Sequence, residues 1–272
     1  MKHSLFSVLT LVVLSSCSNN SSSSDSDVFI AVDKTPIINY SMINSYPHDT
    51  TLFTEGLVFH DGNLFESSGS PNDIPQTKSV IGAIDIKTGK FNQKIEIDKN
   101  HFFGEGIVFF KSKLYQLTYK NQQGFIYDDK SFKQIGQFKY SNIEGWSLTT
   151  DGTSLIMSDG TNKLTYLDPK SLKQTKTLLI SENGIQRDSL NELEFIKGFI
   201  YANIWMNNFI VKIDPLTGKV VGKIDLSSLT TEAKSSYPKS DVLNGIAYDS
   251  LTDKIYVTGK MWPKIYQIEF NH

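Results

Sequence analysis

Five copies of one short pattern hold the residues of this sequence best suited to chemistry: an acidic or amide residue, then glycine, then an apolar residue. They are Glu55-Gly56-Leu57, Glu105-Gly106-Ile107, Glu144-Gly145-Trp146, Asn191-Glu192-Leu193 and Asn244-Gly245-Ile246, the fourth carrying Glu where the others carry Gly. Carboxyl groups can shuttle protons or join amide oxygens around a divalent ion, and an indole supplies a flat apolar wall. Residue types alone therefore leave three function classes open: a carboxyl-dependent enzyme, a non-catalytic binder of peptides or glycans, and a metal-dependent hydrolase of the lactonase kind.

Other classes are excluded. A catalytic zinc site needs three converging protein ligands; of the 5 histidines, His3 and His272 lie near the two ends of the sequence, and His48, His60 and His101 share no motif. There is no Gly-rich phosphate loop and no nucleophile elbow. A net charge of -2, with both signs scattered along the chain, leaves no electrostatic footprint for nucleic acid.

The elements that must position these residues follow from the spacing. The five copies stand 50, 39, 47 and 53 residues apart, the length of a four-stranded propeller blade. Each is followed by a strand-turn-strand pattern, with turns at His60-Asp61-Gly62-Asn63, Lys111-Ser112-Lys113, Thr150-Asp151-Gly152-Thr153, Lys197-Gly198 and Ser250-Leu251-Thr252-Asp253. A second echo, Ile84-Asp85-Ile86-Lys87-Thr88-Gly89-Lys90 against Ile213-Asp214-Pro215-Leu216-Thr217-Gly218-Lys219, with looser turns at Asp128 and Asp168, marks the hairpin between third and fourth strands. No helix is expected. The fifth unit supplies three strands, ending at Lys264–Phe270, and Ile37–Tyr46 is expected to add its fourth, which closes the ring and removes an open edge. The expectation is an all-β, five-bladed propeller in which the five motifs converge on one funnel. At 39% hydrophobic the chain can bury such a core.

Ahead of the repeats, Lys2 and His3 precede an apolar run from Leu5 to Leu14 that is too short to span a bilayer and reads as a secretory signal. It ends in Leu14-Ser15-Ser16-Cys17, which resembles a bacterial lipobox, and Cys17 is the only cysteine. The expected organisation is a lipoprotein signal over residues 1–17 with lipidation at Cys17, a Ser-rich tether over 18–27, and the propeller over 28–272. Membrane contact is expected only through the anchor, on the bacterial cell envelope.

Several stretches together resemble the plant and bacterial propeller type of glutaminyl-peptide cyclotransferase. They are Tyr46-Pro47-His48-Asp49 with Phe53-Thr54-Glu55-Gly56-Leu57, Phe103-Gly104-Glu105-Gly106, Glu144-Gly145-Trp146, Asn191-Glu192-Leu193-Glu194 with Tyr201-Ala202-Asn203-Ile204-Trp205, Asp241 to Asp249, and Val257 to Lys264. The resemblance runs from about Ile37 to Phe270. It implies conversion of an N-terminal glutamine to pyroglutamate with release of ammonia, on peptides or proteins as partners. It further implies Glu105 as the catalytic carboxyl, and Phe53, Glu55, Phe103, Tyr119, Trp146, Asn191, Trp205 and Lys260 around the substrate. No cofactor or metal is expected for the reaction, a structural cation in the channel stays open, and a monomer is expected. Trp262 reads equally well as blade packing or as a pocket wall, and Glu144 and Glu192 read first as groups that satisfy strand ends. Two positions depart from the family pattern: Glu55, where Gln is usual, and Tyr119, where Trp is usual.

Overall fold

The structure, a computed structural model, describes residues 34–272. The signal segment, Cys17, the tether and residues 28–33 of the expected propeller lie outside the described residues.

After β1 (Tyr40–Pro47) the chain makes four sheets in sequence order. Blade one is β2 (Phe53–His60), β3 (Asn63–Gly69), β4 (Val80–Asp85) and β5 (Lys90–Glu96); blade two is β6 (Gly104–Phe109), β7 (Lys113–Thr118), β8 (Gln123–Asp128) and β9 (Gln134–Lys139). Blade three is β10 (Ser147–Thr150), β11 (Leu155–Ser158), β12 (Lys163–Leu167) and β13 (Gln174–Leu179), followed by a small ribbon of β14 (Ser181–Glu182) and β15 (Ile185–Gln186). Blade four is β16 (Leu190–Ile196), β17 (Phe199–Ile204), β18 (Phe209–Ile213) and β19 (Val220–Asp225). Helix α1 (Ser227–Ser236) leads into blade five, made of β20 (Leu243–Asp249), β21 (Lys254–Gly259) and β22 (Lys264–Phe270). Its outermost strand is β1, antiparallel to β22 from Tyr40↔Phe270 to Pro47↔Lys264. The domain is the five-bladed β-propeller that the repeats imply, and one blade is shared between the two ends of the described chain.

Each sheet presents apolar faces to both neighbours, so the core is five slabs between blades. Phe65 and Phe109 pack between blades one and two, Leu117 and Met157 between two and three, Ile156 and Ile200 between three and four, Tyr201 and Val257 between four and five, and Leu64 and Ile265 between five and one. The fifth slab closes the ring, so no blade face is left bare to water. The outer strands carry the polar residues: β5 is Lys-Phe-Asn-Gln-Lys-Ile-Glu and mostly exposed, a composition that blunts an edge.

Two expectations need correction. The closing strand begins at Tyr40, not Ile37; Ile38 N–H instead donates to Lys223 O at 2.8 Å and Lys223 N–H to Pro36 O at 2.9 Å, so the preceding residues add to the outer edge of blade four. The domain is also not free of helix. Leu226, Leu229 and Ala233 recur at helical spacing and are buried against the slab between blades four and five. This packing overrides the weak helix preference of a Ser- and Thr-rich segment, and the Asp225 carboxylate accepts the Ser227 N–H at 2.9 Å at its start.

Candidate active site

The five motifs do not sit in ordinary strand pairing. In four of the five inner hairpins the register slips at the motif: at Glu55 in blade one, at Glu105-Gly106 in blade two, at Asn191-Glu192 in blade four and at Asn244-Gly245 in blade five. Such β-bulges re-aim a side chain and free backbone groups from the ladder. Neighbouring blades take up the freed groups: Gly106 N–H donates to Trp146 O at 2.9 Å, Ser67 Oγ to Glu105 O at 2.6 Å, and Gly245 N–H to Asn203 Oδ1 at 3.1 Å. The motif glycines permit this crowding. A Cβ on Gly106 would lie 2.4 Å from Ser147 Cα, and one on Gly56 would lie 2.9 Å from Ile107 N. Close approach of adjacent inner strands, rather than turn geometry, is what requires glycine there.

At one end of the channel the bulged residues meet the loops that follow the second strands. A cavity of about 420 Å³, at the small-ligand scale, is lined by Phe53, Glu55, Phe103, Glu105, Tyr119, Glu144, Trp146, Asn191, Trp205 and Lys260. All nine channel residues nominated from the sequence are brought together, and Glu144 joins them as a wall rather than serving only a strand end. Trp262 does not join: it is fully buried, packs edge-on against Tyr266 and donates Nε1–H to Asp241 O at 2.9 Å. Glu192 is spent on main-chain donors, accepting from Leu57 N–H at 3.3 Å and Ile246 N–H at 2.8 Å.

Aromatic rings form two sides of the cavity. Phe53 meets Phe103 edge-on at 6.4 Å, and Phe103 tilts against Tyr119 at 5.8 Å; opposite, Trp146 and Trp205 meet edge-on at 5.7 Å. The Glu144 carboxylate fixes the Trp146 ring by accepting its Nε1–H at 2.8 Å.

Between these walls lie three ionisable groups and an amide. Lys260 Nζ contacts both oxygens of Glu55, at 2.6 and 2.7 Å, with both residues buried. Burial pushes the Glu55 carboxyl up, and the ammonium against its two oxygens pulls it back. We read the two as an ion pair that carries no net charge. Two of the three lysine donors are engaged there, and Nζ also stands 4.4 Å over the Phe53 ring. Glu105 is buried and pushed well above the usual carboxyl range, first by burial and then by the Glu55 charge beside it, with Lys260 opposing. Asn191 is 3% exposed and its Oδ1 has no hydrogen-bond partner, so its amide is unengaged.

The family model described as glutamine cyclotransferase matches residues 8–270. The chain belongs to this family. It is 39% identical over 230 residues to a glutaminyl-peptide cyclotransferase of Arabidopsis thaliana, a match that covers 84% of this chain and 70% of that protein. The crystal structure of Myxococcus xanthus glutaminyl cyclase matches with a TM-score of 0.77 at 32% identity, over 87% of this chain and 98% of the other.

In this glutamine cyclotransferase family member the two departures noted in the sequence take different forms. Tyr119 keeps an aromatic face on the cavity. Glu55 introduces a second carboxylate, and Lys260 neutralises it. Among the described residues no group of three or more His, Cys, Asp or Glu side chains is arranged to hold a metal ion. His48 has a structural role: its Nδ1 bonds Trp262 O at 2.7 Å and its Nε2 bonds Glu66 at 2.9 Å, tying the end of β1 to blades one and five.

Proposed function

We propose that this chain closes N-terminal glutaminyl residues of peptides and proteins to pyroglutamate with release of ammonia, with Glu105 carrying the proton and no metal ion taking part. The observation behind the reading is a buried carboxyl at position 105 that has no main-chain donor, set between two aromatic walls beside an ion pair that is already balanced.

The reaction needs the α-amine to attack the γ-carboxamide carbon of its own side chain, so the first demand is a folded substrate conformer. The facing pairs Phe53/Phe103 and Trp146/Trp205 grip the methylenes and exclude water, which supplies orientation. As the new N–C bond forms, the amine gives up a proton; as the old C–N bond breaks, the departing nitrogen needs one. Glu105 accepts the first and delivers the second, ammonia leaves, and the carboxyl returns to its starting state. Its raised pKa fits the task, because it narrows the gap to an α-amine of pKa about 7.7–8.0 and proton transfer is most effective between matched groups. The Asn191 amide and the remaining Lys260 donor are the groups able to stabilise charge on the amide oxygen. Glu55 acts through Lys260, which it holds in place, and through the field it exerts on Glu105.

Glutamine-initiated dipeptides incubated with the full-length protein should release ammonia and yield the pyroglutamyl product, and exhaustive chelation should leave the rate unchanged. Absence of product from any glutaminyl peptide sinks the activity; loss on chelation with recovery on adding a divalent ion sinks the metal-free mechanism. We also propose that a lipid on Cys17 holds the propeller on the cell envelope, supported by the apolar run and lipobox-like sequence ahead of it. Cys17→Ser should then move the protein from the detergent-extracted to the aqueous fraction.

A further inference from the structure

The cavity that would hold the glutaminyl residue is not closed on the side of Trp146 and Trp205. A second cleft, of about 680 Å³, begins at the same three side chains, Glu144, Trp146 and Trp205, and runs out over blade three. Any peptide bound by its first residue must send its second and later residues out of the mouth. The other aromatic side of the cavity is Phe53, Phe103 and Tyr119, with Phe103 packed against both of the others.

The chain builds this cleft with specific devices. Gly160, at φ +77°, lies flat against the indole of Trp146; a Cβ there would stand 2.5 Å from its Cζ2. The indole can therefore lean onto blade three and serve as one wall of both spaces. Asn142 braces the cleft by donating to Asp159 Oδ2 at 2.8 Å and to Thr165 Oγ1 at 3.0 Å, and Thr161 donates to Asp159 Oδ1, so both carboxylate oxygens are engaged within the wall. Glu144 is likewise held, by the Trp146 Nε1–H and by Lys120 at 3.5 Å. Apart from the exposed Lys163, the rest of the polar lining is hydroxyl and amide, including the exposed Thr177, groups that match the N–H and C=O of an extended main chain. Ile143, 80% exposed, adds an apolar contact to the lining.

We propose that this cleft is the binding site for residues two onward of the substrate, so that the protein favours extended glutamine-initiated peptides over glutaminyl dipeptides. This inference rests on the cyclotransferase reading above. Contacts remote from the reacting atoms contribute to turnover only if the bound chain is held through the transition state, so the gain belongs in kcat/KM.

The test compares kcat/KM for a glutaminyl dipeptide amide and an uncharged glutamine-initiated pentapeptide amide, in the parent and in two surface variants. The parent should favour the pentapeptide by about tenfold or more. Thr177→Trp, which fills the cleft from the exposed outer strand β13, should bring that ratio close to one, and Ile143→Ser should lower it by a smaller factor. Equal kcat/KM for the two peptides in the parent, or a ratio that survives Thr177→Trp intact, overturns the subsite while leaving the cyclotransferase reading in place. Failure to turn over either peptide would overturn the cyclotransferase reading, and the subsite with it.

Discussion

Glu105 and Glu192 both lie in β-bulges on inner strands of the same channel, both are buried, and burial pushes both carboxyls well above their usual range. They differ in what reaches them. Glu192 accepts main-chain N–H groups from two other blades and so ties blades one, four and five together at the axis. No main-chain donor reaches Glu105, whose neighbours are a carboxylate, an ammonium and aromatic rings. A propeller axis must satisfy the backbone groups that its bulges release, and most of its polar side chains are consumed in doing so. Glu105 is the carboxyl left over, at the end where the channel opens, and so is available for chemistry.

The same substitution at the two positions should therefore give opposite results. Glu105→Gln should lower kcat by about 10²- to 10⁴-fold, the usual contribution of a positioned acid–base group, while thermal unfolding stays close to that of the parent. Glu192→Gln should leave the turnover of folded molecules intact and lower stability. An amide offers one acceptor where two N–H groups need one each, and an unmet buried donor costs about 1–3 kcal/mol. Steady-state kinetics and thermal melts on both variants decide the matter; a Glu105→Gln protein with near-parental kcat would break the comparison at its centre.

A subtler effect is expected at Glu55. Its charge is one of the causes that raise Glu105, and it also balances Lys260. Glu55→Gln removes that negative neighbour and leaves the ammonium uncompensated, and both changes favour the ionised form of Glu105. The limb of the kcat/KM profile that reports Glu105 should move to lower pH. A limb that stays in place, or moves up, would show that Glu55 does not set the carboxyl.

These outcomes bear on what a reader can extract from the sequence. Five copies of one motif recur at blade spacing, four of them at bulges and four of them with glycine, so blade number, strand order and the convergence of Glu55, Glu105, Asn191 and Asn244 are all written locally. The Glu55–Lys260 pair is not. Its partners are 205 residues apart and meet only because the ring closes, and nothing in either segment names the other. Helix α1 is hidden for a different reason: its Ser- and Thr-rich sequence has little propensity of its own, and the slab it covers makes it helical. The β14–β15 ribbon is legible in the sequence: Asn183-Gly184 is the strongest short-range hairpin signal, and both residues take positive φ. Glu144 shows how a motif position can be aligned with its repeats yet differ in use: the third inner strand begins only at Ser147, so Glu144 belongs to the mouth of the channel and not to a strand.

Glu194 lies between the two extremes and offers the finest test. It accepts one main-chain N–H, from Tyr248 at 2.8 Å, and one hydroxyl, from Thr149 at 3.4 Å, and burial pushes it up to about 8. An acid whose folded-state pKa lies above its unfolded value, about 4.3 for Glu, binds its proton more tightly when folded. The stability it contributes is complete below the unfolded value and is lost as pH rises through about 8. Glu194→Gln stays neutral throughout and keeps an acceptor for Tyr248, so the variant should lose less stability than the parent between pH 5 and pH 9, with melting temperatures diverging by a few degrees at the alkaline end. Parallel melting curves across that range would mean that two donors serve the Glu194 carboxylate as well as water does, and the contrast with Glu105 would then rest on Glu192 alone.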